Sequence, residues 1–266
     1  MPEYVHGYSN RESTRLQDQA DALVDIIHGE AIFPRGSRIL EPGCGTGSQT
    51  VTLAANNPGA TITSMDVSAE SLEKAKARAA HLSNVTFKLG DIYDPPFEDE
   101  SFEHVFVCFV LEHLKEPVKA LEALRRVLKT GGSLTVVEGD HGSFYCHPHN
   151  AATMQAVDCL VKSQSMAGGN SLIGRELYPL LNKAGFNTPV VVPHIVYVDD
   201  SKPELVEGFS KNTFTAMIEG VREKALELKL IDEATFDDGI RGLYRATDEG
   251  GTFCYTFFRG TAQKED

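Results

Sequence analysis

No run in this sequence approaches the roughly 18 to 20 consecutive apolar residues that cross a bilayer. The opening MPEYVHGYSN lacks the basic-then-apolar layout of a secretory leader. The chain therefore reads as soluble and cytoplasmic, with no membrane partner. Clusters of Lys and Arg are missing as well, and 25 basic against 38 acidic residues leave a formal charge of −13. A surface of that sign repels polyanions, so no nucleic-acid partner is expected. The cysteines, Cys44, Cys108, Cys146, Cys159 and Cys254, are odd in number and never stand in a C-x-x-C pair. That pattern fits reduced thiols better than a disulfide framework or a zinc site. Internal repeats, low-complexity tracts and flexible linkers are absent too. What is present is ordinary globular composition, 41% hydrophobic and 24% charged over 266 residues, enough for one α/β domain with an elaborated cap.

The first half alternates strand and helix patterns. Residues 38–40 form a short strand that runs into a glycine loop, and residues 49–55 carry the helix behind it. Residues 61–67 are a second strand, rich in β-branched side chains, and Ser68 is placed to cap a helix over 69–81. Residues 85–89 are a third strand. FEHVFVCFV, residues 102–110, is a nearly continuous apolar run, the mark of a strand buried on both faces. Pro117 opens a helix whose Val118, Leu121, Leu124 and Leu128 recur at helical spacing and which ends at Gly131 and Gly132. Residues 134–137 are the next strand. Such β-α-β units imply right-handed crossovers and a parallel sheet with helices on both faces. Beyond Asp140 the rhythm changes: helices over 151–166 and 172–184, strands over 190–198 and 252–258, and a long helical stretch between those two strands. A connection of that size is no hairpin turn and reads as a helical cap.

The sharpest local feature is Glu41-Pro42-Gly43-Cys44-Gly45-Thr46-Gly47. Alternate glycines let backbone pass close to a ligand at the carboxyl edge of an open α/β sheet. A dinucleotide loop needs a small residue where Ser48 stands, and a phosphate loop needs a Gly-Lys-Ser/Thr that is missing. Glu41 sets this loop apart, because a carboxylate two residues before the first glycine suits a cation and not a pyrophosphate.

These residues resemble the class I S-adenosylmethionine-dependent methyltransferases, especially the small-molecule branch with the ubiquinone and menaquinone C-methyltransferases. ILEPGCGTG is similar to the family's first motif, TSMDVS to its second, GDIYDPPF to its third, the stretch from Phe102 through VLEHL to its fourth, and LKTGGSLTVVE to its fifth-strand segment. The resemblance covers roughly residues 35–140. It implies a doubly wound, Rossmann-like, mostly parallel seven-stranded sheet with helices on both faces; the helical cap inserted before the last strand is read from the length and patterning of residues 199–251, where the resemblance fades. The implied cofactor is S-adenosyl-L-methionine, with S-adenosyl-L-homocysteine as product, and the implied partner is a small-molecule methyl acceptor. Carried over position by position, Glu41 lies near the methionine ammonium and Gly43, Cys44 and Gly45 line the ligand with backbone. Asp66 accepts both ribose hydroxyls, as a carboxylate can. Val67 packs against adenine, Asp91 accepts from its amino group, and the Ile92 amide meets the ring. Cys108 and Phe109 border the methionine tail. Tyr4 and Tyr8 are placed to cover the sulfonium.

The implied division is an N-terminal helical segment over the cofactor (1–30), a methyltransferase core (31–198), a cap insertion (199–251) and a final strand (252–266). Candidate catalytic residues are His113, which follows the fourth strand beside Glu112, and His141. No metal is called for: His141, Cys146, His147 and His149 match no common zinc spacing. Phe209, Phe214 and Met217 are either an acceptor pocket or the cap's own core. Two other readings stay open, a methyltransferase acting on a protein or tRNA, and a non-enzymatic cofactor-binding module. A nicotinamide oxidoreductase lacks its glycine at Ser48. The acceptor, the atom methylated and the oligomeric state are not legible.

Overall fold

The computed structural model describes residues 23–265. After a short helix α1 (Val24–His28), the elements are β1 (Arg38–Pro42), α2 (Ser48–Asn56), β2 (Thr61–Asp66), α3 (Ala69–Arg78), β3 (Val85–Leu89), β4 (Phe102–Cys108), α4 (Pro117–Val127), β5 (Leu128–His147), α5 (Ala151–Met166), α6 (Leu177–Lys183) and β6 (Asn187–Val198). A cap follows: a π-helix (Val206–Thr215), then α7 (Ala216–Gly220), α8 (Arg222–Glu227) and α9 (Glu233–Arg245), before β7 (Thr252–Gln263). The seven strands lie in the order β3-β2-β1-β4-β5-β7-β6, parallel from β3 through β5, with β7 antiparallel to both of its neighbours. This is the doubly wound α/β architecture that the strand and helix patterns predict.

Alternation along the strands builds two cores. Ile39, Ile62, Phe106 and Val137 point to one face, where α1, α2, α5 and the cap lie. Leu40, Met65, Val105, Val107, Leu134 and Val136 point to the other, against α4 and α6. Ser68 caps α3 as expected, its Oγ accepting from the Ser71 amide at 3.2 Å. Strand order reverses between β1 and β4, and ligands of open α/β sheets bind in the crevice at the carboxyl ends of two such strands. The loop after β1 and the turn after β4 face each other there.

Several element ends differ from the sequence pattern. The helix opened by Pro117 stops at Val127, and β5 begins at once and passes through Gly131 and Gly132. The stretch 172–184 is a 3-10 turn (Ile173–Glu176) followed by α6. Most consequential is the length of β5. It pairs with β4 only as far as Cys108 opposite Val137, then continues beside β7 to His147 opposite Thr252. Together β5, β7 and β6 run on past the carboxyl edge and carry the aromatic core of the cap. The π-helix holds its width through Thr213 and Thr215, whose hydroxyls donate to the carbonyls of Gly208 and Ser210, each five residues back. That period sets Phe209 and Phe214, five apart, on Phe253 and Tyr255. Among the described residues, no helix is long and apolar enough to cross a membrane.

Candidate functional site

The loop after β1 is tied to the end of β2 by consecutive amides. Gly43 and Cys44 both donate N–H to the Met65 carbonyl (2.7 and 3.0 Å), and Gly45 donates to Asp66 Oδ2 (2.8 Å). Gly43 and Gly45 have φ of 72° and 54°, a region other residues seldom enter. A Cβ on Gly45 would meet no atom within 4 Å, so backbone there borders open space. Asp66 also accepts from the Ser68 amide through Oδ1 at 2.8 Å. Two of the roughly four lone-pair positions of its carboxylate stay available to a diol. Val67, beside it, is 47% exposed despite being apolar. Asp91 is exposed and accepts from the Tyr93 amide at 2.9 Å, while Ile92 is buried.

Glu41 is 3% exposed, and one of its oxygens, Oε2, takes both the Thr50 and Ser64 hydroxyls at 2.6 Å. Burial raises its pKa to about 7, against the pull of those two hydrogen bonds and with a further push from Asp66. A cation at this spot would restore the ionised form. Cys44 is buried, and desolvation, followed by the Glu41 and Asp66 carboxylates, pushes its thiol far upward. Cys108, half-buried at the end of β4, is raised by burial, then by Glu138, Glu41 and Glu112. In both, burial disfavours the thiolate, the form that acts as a nucleophile.

Across the crevice, the turn after β4 carries Phe109 at φ 56° and then a 3-10 helix, Leu111–His113. Phe109 meets Phe257 at a ring distance of 5.5 Å, which joins the turn to the aromatic lobe of the cap. Val110 presses on the facing loop: its methyl carbons stand 2.6 and 2.9 Å from where a Gly43 Cβ would be. His113 Nε2 is 3.6 Å from Glu112 Oε1, and Gln164 donates to Glu112 Oε2 at 3.1 Å. His141 is buried, with Nδ1 2.6 Å from the Tyr255 hydroxyl and its own amide on the Ser171 carbonyl at 2.9 Å. The preceding Asp140 is pinned by a bidentate Arg175 guanidinium, both bonds 2.7 Å.

The structure thus brings together Glu41, Gly43, Cys44, Gly45 and Asp66 at one crevice, with Cys108 and Phe109 at the end of the adjoining strand. Tyr4 and Tyr8 lie outside the described residues. His147 and His149 are exposed, and among the described residues no three His, Cys, Asp or Glu side chains converge as a metal site would require. Phe209 and Phe214 pack ring to ring with Phe253, Tyr255 and Phe144 as the cap's core. Two residues escaped the sequence reading. Tyr255 has no local signal, because its partner is 114 positions away. Glu138 did have one: an acid closing the apolar run LTVV at a strand's carboxyl end.

The glycine backbone bordering open space, the half-used Asp66 carboxylate and the desolvated Glu41 fit S-adenosylmethionine, with a diol, an ammonium and a sulfonium to be held. Comparison with known proteins agrees. Residues 40–136 match the methyltransferase domain family. Over that span the chain carries a methyltransferase domain of the class I S-adenosylmethionine-dependent type. It is 38% identical over 139 residues to demethylmenaquinone methyltransferase of Clavibacter sepedonicus, covering 52% of this chain and 56% of that protein. It is 28% identical over 265 residues to 27-O-demethylrifamycin SV methyltransferase of Amycolatopsis mediterranei (strain S699), covering 98% and 89%. The chain spans about half the length of several curated relatives it matches. A phosphoethanolamine N-methyltransferase 2 from Haemonchus contortus, solved with S-adenosylhomocysteine, shares the fold at TM-score 0.57 and 20% identity over 94% of this chain and 53% of that one.

Proposed function

We propose that this chain transfers the methyl group of S-adenosylmethionine to a small, largely apolar molecule by in-line displacement. The observation that carries the reading is the continuity of β5 and β7: the strands that close the crevice beside Cys108 also bear the aromatic lobe joined to Phe109 through Phe257. An acceptor over the turn after β4 therefore lies beside Phe109, which the buried aromatic lobe backs and holds in place within reach of the glycine loop. The relative matched along nearly the whole chain, cap segment included, is named for a rifamycin acceptor. The demethylmenaquinone match spans only about half of the chain.

When bound, the cofactor supplies a methyl group already activated on sulfonium sulfur, so the residues' work is to bind, align and exclude water. Glu41 meets the ammonium, and Gly43, Cys44 and Gly45 follow the methionine backbone. Asp66 holds the ribose. Val67, Asp91 and Ile92 take the adenine, and Cys108 and Phe109 border the methionine tail. Tyr255 Oη and His141 Nδ1 stand 2.6 Å apart, and with the proton of that contact carried by the tyrosine the imidazole proton lies on Nε2. His141 is then a hydrogen-bond donor. His113, half-buried and set beside Glu112, is the group to accept the proton of a hydroxyl acceptor.

The test is a transfer assay with methyl-labelled S-adenosylmethionine against a panel holding 27-O-demethylrifamycin SV, a demethylmenaquinol, phosphoethanolamine, total tRNA and a protein extract. Label is expected in one of the two apolar acceptors. Label confined to tRNA, protein or phosphoethanolamine overturns the reading.

A further inference from the structure

We infer that Glu138 is a positioning residue for the cofactor crevice, holding the turn after β4 as a hydrogen-bond acceptor of fixed length and not as a charge. The inference rests on reading this crevice as the S-adenosylmethionine site and deepens that reading.

Three consecutive amides leave β4 with no partner on their own strand, and β5 takes all three. Phe109 donates N–H to the Val137 carbonyl at 3.0 Å. Val110 and Leu111 both donate to Glu138 Oε1, at 3.0 and 2.7 Å. Between them they fix an aromatic residue at φ 56°, a conformation that persists only when the surroundings over-determine it. The consequence reaches the cofactor loop through Val110. Its methyl groups occupy the place that any side chain on Gly43 would need, so a turn that drifted would push on or withdraw from Gly43.

Glu138 has the character such a grip needs. It is 0% exposed, and its second oxygen, Oε2, has no hydrogen-bond partner among the described residues. Burial, with the nearby Glu112 carboxylate adding to it, holds its carboxyl well above the ordinary range, despite the amides that favour ionisation. A neutral acid gripping through one carbonyl-like oxygen is mimicked by an amide of equal length. It is not mimicked by a shorter acid, which keeps the chemistry and loses the reach.

Two variants therefore separate length from charge, Glu138→Gln and Glu138→Asp. S-adenosylhomocysteine binding is read by calorimetry, and hydrogen exchange of the 109–111 amides by mass spectrometry or NMR, at a temperature where circular dichroism shows the native fold. Glu138→Gln is expected to bind within threefold of the unaltered protein, with exchange unchanged. Glu138→Asp is expected to bind at least tenfold more weakly, with the Val110 and Leu111 amides exchanging at least tenfold faster while those of β1 and β2 hold. If the Asp variant does not fold, Glu138→Met fills the space without an acceptor and is expected to show the same losses. An Asp variant with normal affinity and exchange overturns the inference. So does a Gln variant as weak as the Asp one, which would make charge the operative property. If the unaltered protein itself fails to bind S-adenosylhomocysteine, the reading of the crevice falls, and the exchange measurement still decides the role of Glu138.

Discussion

The Gly45 amide and the Asp66 carboxylate meet at 2.8 Å, so the residue expected to hold the ribose also fastens the loop expected to hold the methionine. Removing that side chain loses both jobs. Two charge-assisted hydrogen bonds to a diol are worth roughly 1.5 to 3 kcal/mol each. Asp66→Ala is expected to weaken S-adenosylhomocysteine about a hundredfold or more by calorimetry, with the circular dichroism spectrum intact. Unchanged affinity in the folded variant would show that the ribose is held elsewhere.

Glu41 gives the site a pH signature. An acid whose pKa is raised on folding contributes stability that is complete below its unfolded value of 4.5 and is lost as pH climbs through about 7. The shift corresponds to about 3 kcal/mol. Without ligand, Glu41→Gln is expected to melt higher than the unaltered protein at pH 8, and the difference is expected to shrink toward pH 5. Cofactor binding runs the other way, because a cation needs the ionised acid. Affinity is expected to fall as pH drops below 7, with proton release on binding, and Glu41→Gln is expected to bind more weakly without that slope. Measurements belong below the roughly 7.7 to 8.0 at which an α-amino group loses its own proton. A variant keeping the full slope would assign the titration to another group.

Arg259, 3% exposed on β7, donates through Nη2 to the Ile26 and Ile27 carbonyls (2.6 and 3.2 Å) and pairs through Nη1 with Glu30 (2.6 Å). It thereby anchors the last turn of α1 to the sheet, where a cation also suits the helix carbonyls. Arg259→Met is expected to cost about 2 to 4 kcal/mol in urea unfolding, since charged hydrogen bonds to buried carbonyls are lost. Glu30 is 73% exposed, and Glu30→Gln is expected to change stability by about 0.5 kcal/mol or less. Equal losses from the two would place the energy in the ion pair.

Phe214 touches the rings of His141, Phe144, Phe253 and Tyr255. Truncating a core aromatic typically costs about 3 to 5 kcal/mol. Phe214→Ala is expected to destabilise by that order while cofactor affinity stays within threefold. A variant of unaltered stability that has lost only transfer activity would make Phe214 an acceptor wall and not core.

The parts of this molecule legible in its sequence are those that local chemistry writes. Glu41 through Gly47, Asp66 after a β-branched strand, Ser68 as a cap and Pro117 as a helix start each carry their signal within a few residues. What escaped depends on pairing at a distance. The full reach of β5 is set by a ladder to β7 more than a hundred positions on, and the glycines at 131, 132, 139 and 142 disguise it as a loop. The π-helix follows from packing Phe209 and Phe214 on one sheet, which a period of 3.6 cannot reveal. Glu138 reads as the end of an apolar run until β4 is laid beside it.

β5 and β7 pass from the crevice into the aromatic lobe as one ladder, interrupted only between Asp140 and Tyr145, so the spacing between those two regions is measured out in residues of strand. One residue of strand is about 3.3 to 3.4 Å, the same size as the separation between atoms about to react. The register shift between Asp140 and Tyr145 is where that ruler carries its irregular mark. Deleting or inserting a single residue there would displace the aromatic lobe relative to the glycine loop by a whole bonding distance.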